Sequence, residues 1–183
     1  MEPVNIGIIG LGTVGAGTVN LLERNSHEIT RRAGREIKVK GAAVRDSTRP
    51  RACETGGLEL GTDPFVLTDD PEIEVIVELM GGDTLARDVV IRALTNGKHV
   101  VTANKALVAL HGNELFEMAR EKGLVVAFEA AVALRKDHDE LDLLTEVESR
   151  CREQATSPPH EMVNHVGAIY DRFTLQELSL IHI

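Results

Sequence analysis

The stretch VNIGIIGLGTVGAGTV, residues 4–19, predicts how the chain folds. Residues 4–10 form a nearly continuous apolar run that ends in glycine, which is typical of a central strand buried on both faces of a parallel sheet. From Thr13 onward, apolar residues recur at mostly helical spacing until Gly34 breaks the pattern. The stretch therefore predicts a strand, a tight glycine turn and a helix, in that order.

The alternation of strand and helix patterns continues to about residue 130. Further strands are predicted at 37–44, 65–68, 73–80, 98–101 and 124–130, and residues 45–62 are predicted to be irregular. Further helices are predicted at 85–97 and at 113–123. Between them, another helix is predicted to begin after the turn at 102–104, with Asn104 as its capping residue. Alternating elements are typical of an α/β fold, and we predict a Rossmann-type doubly wound parallel sheet.

The alternation stops after Ala133. Residues 134–183 contain two charged helical patterns on either side of the break ATSPP, so a short helical tail is predicted there. We therefore divide the chain into a Rossmann domain at 1–133 and an atypical tail at 134–183. The final residues, LSLIHI, can be encoded by the end sequence of a transposon-based sequencing adapter, so a chimeric or adapter-derived end is an alternative to a genuine tail.

The composition argues against several functional classes. The net charge is −9, and no basic stripe is interleaved with aromatic residues, so nucleic-acid binding has little support. No stretch approaches the ~18 apolar residues of a membrane span, and the N-terminus lacks the basic region of a signal peptide. We expect a cytoplasmic protein that binds a small molecule and neither nucleic acid nor a membrane.

Each glycine of the spacing Gly10-x-Gly12-x-x-Gly15 has a physical reason in a dinucleotide site. Gly10 permits the tight turn, Gly12 lets a pyrophosphate approach the backbone, and Gly15 lets the helix pack closely on the sheet. Free N–H groups and the helix dipole favour phosphate at this helix terminus. The same spacing also occurs in plain turns, so the prediction of an NAD(P) site depends on the strand and helix around it.

The end of the second predicted strand bears on which dinucleotide is bound. An acidic side chain there accepts hydrogen bonds from the ribose 2′-hydroxyl of NAD, whereas an arginine pairs with the 2′-phosphate of NADP. Arg45 stands beside Asp46 at this point. We predict NADP, bound through Arg45, with NAD as the alternative cofactor and a solvated surface charge as the alternative interpretation of Arg45.

Four segments together resemble the nucleotide-binding half of homoserine dehydrogenase. They are GLGTVG (10–15), VELMGGDT (77–84), NGKHVVTANKALVALHG (96–112) and VVAFEAAVA (125–133). The resemblance implies NAD(P)-dependent interconversion of aspartate 4-semialdehyde and L-homoserine, in the pathway to threonine, isoleucine and methionine. It also implies that the full-length protein is a homo-oligomer.

The resemblance also assigns roles to particular residues. The pyrophosphate loop would consist of Gly10, Gly12, Thr13, Val14 and Gly15. The segment near the nicotinamide ribose would consist of Gly81, Gly82, Asp83 and Thr84. Glu129, with the backbone carbonyl of Val132, would help to bind a structural monovalent cation.

Lys105 would point at the nicotinamide and the substrate, and it is the catalytic residue that the resemblance implies. A positioned ammonium can stabilise an alkoxide and take part in proton transfer, although an ordinary surface lysine is the alternative. Asn104 is either a helix N-cap or a cofactor contact. We interpret His99, in a strand pattern, and His111, in a predicted loop, as structural histidines.

The resemblance ends after Ala133. In the family this segment continues into a glycine-rich turn and the substrate domain, whereas here it continues into LRKDHDELDLL (134–144). No substrate-binding residue can be placed, so we expect this chain alone to bind cofactor without appreciable turnover. The alternatives are a non-catalytic dinucleotide-binding module and a different amino-acid dehydrogenase.

Overall fold

The computed structural model describes residues 2–128. The strands are β1 (Val4–Ile9), β2 (Ile37–Ala43), β3 (Glu59–Gly61), β4 (Val75–Glu78), β5 (His99–Thr102) and β6 (Val126–Phe128). The helices are α1 (Thr13–Arg24), α2 (Ser26–Ala33), α3 (Pro64–Asp69), α4 (Thr84–Thr95) and α5 (Lys105–Lys122). All strand pairs are parallel, in the order β3-β2-β1-β4-β5-β6. The prediction of a Rossmann-type doubly wound sheet is confirmed.

The central strand β1 is buried on both faces, as its apolar run predicts. Ile6 and Ile8 belong to the apolar layer that α1 and α2 cover, and both side chains are fully buried. Ile9 belongs to the opposite layer, which α4 and α5 cover. Burying one such side chain contributes about 1.5–3 kcal/mol, so the two layers dominate the stability of the fold.

The sheet order places a topological switch point beside β1. The chain moves from β1 outward to β2 and β3, and then crosses back to β4 on the other side of β1. Ligands of open α/β sheets bind where strand order reverses, outside the carboxyl ends of the strands. The residues that follow Ile9 and Glu78 lie at this place.

The predicted strand at 65–68 is wrong, because these residues form most of α3. Asp63 is the N-cap, and its Oδ1 accepts a hydrogen bond from the Phe65 N–H at 2.9 Å. Pro64 occupies the first helical position, where its missing N–H costs nothing. A short apolar run does not by itself distinguish a strand from a buried helix.

The structure differs from the predicted secondary structure at three other places. Asn25 divides the predicted first helix into α1 and α2, whereas Gly34 ends α2 as predicted, in the left-handed conformation with φ 74°. The short edge strand β3 lies in the segment that was predicted to be irregular. Helix α5 is continuous, so His111 lies in a helix and not in a loop.

His99 has a structural role, as predicted. Its side chain is buried at the start of β5, and its Nδ1 accepts a hydrogen bond from the Val125 N–H at 3.1 Å. Within residues 2–128, no helix combines the length and apolar character needed to cross a membrane.

Lys98 is a buried lysine at the opposite edge of the sheet from the switch point. Its Nζ donates to the carbonyl oxygens of Asp70, at 2.5 Å, and Ile73, at 2.7 Å, and burial lowers the pKa of its ammonium. We expect Lys98→Met to lower the free energy of unfolding by about 1–3 kcal/mol, because buried carbonyl acceptors lose their donor. Urea denaturation measures this loss. The same change at the exposed Lys38 is the control and should shift stability by less than about 0.5 kcal/mol; equal effects would contradict the role of Lys98.

Candidate functional site

The turn between β1 and α1 requires glycine at two positions. Gly10 has φ +103°, and a Cβ there would lie 2.7 Å from the carbonyl oxygen of Leu79. A Cβ on Gly15 would lie 2.0 Å from the carbonyl oxygen of Gly10. Real Cβ atoms do not approach backbone atoms this closely, so the first turn of α1 sits against β1 only because both residues lack a side chain.

Gly12 has the opposite environment. A Cβ there would meet no atom within 4 Å, because the residue faces open space at the N-terminus of α1. Gly12 is the N-cap of α1 and has no side chain that could cover the helix terminus. The first turn of α1 also contains no acidic residue that would repel an anion. An anion can therefore reach the backbone N–H groups and the positive end of the helix dipole, so the geometry fits a phosphate group.

A cleft of about 330 Å³ opens beside this turn. It lies between the ends of β1 and β2 and the segment that follows β4. Its walls are formed by Ile9, Gly10, Leu11, Gly12, Ala43, Val44, Arg45, Asp46, Arg49, Arg51, Thr62, Pro64, Leu79, Met80, Gly81 and Leu85. Four predicted site residues, Gly10, Gly12, Arg45 and Gly81, are thus brought to one cleft at the switch point.

Three arginines line one wall of the cleft, and sequence reasoning singled out only Arg45. Arg51 connects two loops, because its Nη1 donates to the Leu11 carbonyl at 3.1 Å and its Nη2 donates to the Asp46 carbonyl. The Nε of Arg51 is buried and has no partner within the described residues. Arg45 is exposed, and together with Arg49 it makes this wall positively charged. The clustering of basic residues at 45–51 was the available sequence signal.

Asp46 is already engaged by its own loop. Its Oδ1 accepts hydrogen bonds from the Thr48 N–H at 2.9 Å and the Thr48 hydroxyl at 2.7 Å. These bonds hold the pKa of the Asp46 carboxyl below its usual range. The carboxylate therefore stabilises the turn that presents the neighbouring arginines.

The ends of β4 and β5 meet at a buried polar cluster that sequence reasoning missed. Glu78 is fully buried; its Oε1 accepts from the Met80 N–H at 2.6 Å, and its Oε2 accepts from the Thr102 hydroxyl at 2.5 Å. Burial raises the pKa of this carboxyl, although hydrogen bonds from Thr102, Met80 and Asn104 oppose the rise. An acidic residue at the end of an otherwise apolar buried strand was the sequence signal.

Asn104 is the N-cap of α5, as one of the two predicted alternatives holds. Its Oδ1 accepts from the Leu107 N–H at 3.1 Å, and its Nδ2 donates to the Gly82 carbonyl at 2.5 Å. Lys105 follows as the first residue of α5 and is exposed. Asp83 is the N-cap of α4 and Thr84 its first residue. Lys105, Asp83 and Thr84 thus lie at the carboxyl edge of the sheet, outside the lining of the cleft.

The remaining predicted site residues differ in status. Thr13 and Val14 form the exposed start of α1, next to Gly12. Glu129 and Val132 of the predicted cation site, and the tail at 134–183, lie outside the described residues. Within residues 2–128, His, Cys, Asp and Glu side chains form no group of three that could hold a metal ion.

Comparison with known proteins gives a consistent result. A family profile described as the NAD-binding domain of homoserine dehydrogenase matches residues 10–129. Homoserine dehydrogenase of Pseudomonas aeruginosa is 60% identical over 134 residues, which are 73% of this chain and 30% of that protein. The enzyme of the same name from Neisseria gonorrhoeae is 46% identical over 134 residues, with the same two shares.

Solved structures that resemble this chain are also homoserine dehydrogenases. The crystal structure of a homoserine dehydrogenase from Thiobacillus denitrificans superposes with a TM-score of 0.68 and 58% identity, and covers 72% of this chain and 30% of that chain. Homoserine dehydrogenase of S. aureus at pH 7.0 gives a TM-score of 0.66 and 38% identity, with 70% and 33% covered. The chain spans about a third of the length of these relatives. The chain belongs to the homoserine dehydrogenase family of NAD(P)-dependent oxidoreductases, and residues 10–129 match the NAD-binding domain of that family.

Proposed function

We propose that this chain is the cofactor-binding part of a homoserine dehydrogenase, which interconverts aspartate 4-semialdehyde and L-homoserine. The observation that carries the proposal is the glycine turn of the family's NAD-binding domain, open at Gly12 and adjacent to an arginine-lined cleft. The pyrophosphate would lie against the backbone from Gly10 to Gly15, where the helix dipole of α1 favours negative charge. Gly81, Gly82, Asp83 and Thr84 would pass near the nicotinamide ribose.

The chemistry is divided between cofactor and protein. When bound, the nicotinamide supplies or accepts a hydride at the carbon that carries the substrate oxygen. The Lys105 ammonium would stand near that oxygen, where it stabilises negative charge and donates a proton during reduction. Because α5 begins at Lys105, the N-cap Asn104 fixes the backbone from which this side chain projects.

We further propose that the cofactor is NADP, with its 2′-phosphate bound by Arg45. An exposed guanidinium at the end of β2 can form charge-assisted hydrogen bonds to a phosphate, and Arg49 adds to the positive charge of the same wall. Asp46, the residue that would read an NAD ribose, is engaged by Thr48.

Exchanging Arg45 tests this preference. We expect Arg45→Gln to weaken NADPH binding by about 10–100-fold, because each charge-assisted hydrogen bond contributes roughly 1.5–3 kcal/mol. NADH binding should change by less than about twofold, because NADH lacks the 2′-phosphate. Fluorescence titration of each nucleotide measures both effects. Arg24→Gln, at the exposed end of α1, is the matched control; an equal loss for both nucleotides in Arg45→Gln would contradict the assignment.

The matched region covers only part of the relatives, so turnover depends on segments that residues 2–128 do not contain. Hydride transfer requires both reactants to be held in place, so we expect residues 2–128 to bind the cofactor and to depend on a substrate domain for turnover. A homo-oligomeric state of the full-length enzyme, and a monovalent cation at Glu129 and Val132, are further proposals that rest on the resemblance.

A chimera tests the proposed reaction. Residues 1–133 of this chain would replace the aligned segment of the Pseudomonas aeruginosa homoserine dehydrogenase, to which the identity is 60%. We expect NADP-dependent oxidation of homoserine, which is measured by the absorbance of the reduced cofactor. A chimera that is folded and binds NADPH but oxidises no substrate would favour a non-catalytic binding module. Oxidation of another amino-acid substrate in preference to homoserine would favour a different dehydrogenase.

A further inference from the structure

Glu78 is the most deeply buried acidic side chain among the described residues. It ends β4, after Val75, Ile76 and Val77, and has 0% exposure. Its hydrogen-bond partners are uncharged: the Met80 N–H and the Thr102 hydroxyl. A buried carboxyl costs stability unless its oxygens are bonded, and an apolar residue would fill the same space without that cost. Core packing alone therefore does not explain an acid here.

The contacts of Glu78 connect two segments of the proposed site. Through Met80 it contacts the segment that leads to the Gly81–Gly82 turn. Through Thr102 it contacts the end of β5, and the Thr102 hydroxyl accepts in turn from the Asn104 N–H at 3.0 Å. The Ala103 N–H donates to the backbone carbonyl of Glu78 at 3.2 Å.

Asn104 closes this network. Its backbone N–H donates to the Thr102 hydroxyl, which in turn donates to Glu78. Its side chain donates to the Gly82 carbonyl and accepts from the Leu107 N–H in the first turn of α5. Glu78, Thr102 and Asn104 thus bond the turn after β4 to the start of α5. Lys105 is the next residue along the chain, so its backbone position depends on these bonds.

We propose that Glu78 is a positioning residue, which holds the Gly81–Gly82 turn and the first turn of α5 in one fixed arrangement through Thr102 and Asn104. This arrangement sets where Lys105 stands relative to the nicotinamide ribose. The role of Lys105 rests on the proposed function, whereas the coupling of the two segments does not. A misplacement of about 1 Å at a reacting group can lower a rate by about 100-fold, so such a network is functionally important.

The coupling is tested first without any reaction. In the 183-residue chain, Glu78→Gln keeps an oxygen that accepts from the Met80 N–H. It places an NH2 group, which cannot accept a hydrogen bond, where the Thr102 hydroxyl donates. We expect amide hydrogen exchange to accelerate at least about 10-fold at 79–84 and 103–107, with β1 and α1 unchanged. Unchanged exchange in both segments would overturn the proposal.

The second test uses turnover of the chimera described above. We expect Glu78→Gln to lower kcat by about 10–100-fold and to change KM for NADPH by less than about threefold, because positioning acts on the reacting geometry. A kcat equal to that of the parent chimera would overturn the proposal. If the parent chimera oxidises no homoserine, the proposed function fails, and the exchange measurement still decides whether the two segments are coupled.

Variants of Thr102 keep the proposal testable if Glu78→Gln does not fold. Thr102→Val removes the hydroxyl at nearly constant volume, so exchange should accelerate in the same two segments. Thr102→Ser restores the hydroxyl and should reverse at least half of that acceleration. Thr95→Val is the matched control, because that hydroxyl donates within α4 to the Ile91 carbonyl. Equal exchange in Thr102→Val and Thr102→Ser would overturn the role of the hydroxyl link and with it the proposal.

Discussion

Replacing Gly15 with alanine is expected to abolish nucleotide binding by this chain and to lower its stability. The added Cβ would lie 2.0 Å from the Gly10 carbonyl oxygen and 2.9 Å from the carbonyl carbon, so neither neighbour is a side chain that could move aside. Helix α1 must separate from β1, and the turn that presents its N-terminus must open. We expect a loss of about 3 kcal/mol in unfolding free energy, at the upper end of overpacking costs. We expect NADPH affinity to fall at least about 100-fold, because phosphate binding depends on the aligned N–H groups.

Gly17 provides the matched control for this prediction. It lies in the same helix and is exposed, and a Cβ there would meet no atom within 4 Å. Gly17→Ala should raise the unfolding free energy by about 0.5–1 kcal/mol, the usual gain for alanine over glycine in a helix. Its NADPH affinity should equal that of the parent. Urea denaturation and NADPH titration of both variants decide the matter, and near-parent affinity in Gly15→Ala would place the nucleotide elsewhere.

Lys105→Ala, introduced into the chimera, is expected to lower kcat by about 100- to 10,000-fold. This range corresponds to the loss of one group that transfers a proton or stabilises charge in the transition state. The affinity for NADPH should change by less than about threefold, because the phosphates would be held by the glycine turn and the arginines at the opposite end of the site. Steady-state kinetics with homoserine and a separate NADPH titration distinguish the two effects.

Lys122 is the control for Lys105, because both lysines are exposed and stand at opposite ends of α5. Lys122→Ala should leave kcat and NADPH affinity at the parent values. A Lys105→Ala chimera with parent turnover would exclude a chemical role. A loss confined to NADPH affinity would make Lys105 a cofactor-binding residue only.

The strongest part of the sequence prediction concerns the first βα unit. The apolar run at 4–10 and the glycine spacing at 10–15 predict a central strand and a helix N-terminus, and the structure has both in β1 and α1. Here local patterns and packing agree, because a strand buried on both faces must be apolar and the close contact of Gly15 with Gly10 requires glycine. The fold class follows from the repetition of this pattern along the chain.

Short elements were predicted less well for a physical reason. The run FVLT (65–68) has the composition of a strand, but the cap at Asp63 and the proline after it make it α3. The capping signal was present in the sequence and outweighs a run of three apolar residues. At Gly112 the glycine does not end the helix, because α5 continues and packs the face that carries Gly112 into the core through Val108 and Phe116. Tertiary packing, which the sequence does not display, decides that case.

The polar residues of the candidate site could be predicted from the sequence only in part. Arg45 could be singled out from the sequence because it stands at the end of β2, where side chains contact the adenosine ribose in folds of this class. Arg51 reaches the Leu11 carbonyl across 40 positions of sequence, and Glu78 reaches Thr102 across 24. Such contacts depend on which loops the fold brings together. They become visible only once the strand order is known.

Titration of the purified 183-residue chain with NADPH and NADH tests the central claim most directly. Fluorescence of the bound reduced cofactor would be followed for the parent chain, Gly15→Ala and Gly17→Ala. We expect saturable binding at one site, tighter for NADPH than for NADH, retained in Gly17→Ala and lost in Gly15→Ala. A parent chain that binds neither nucleotide would contradict the cofactor site, and with it the proposed roles of Arg45 and Lys105.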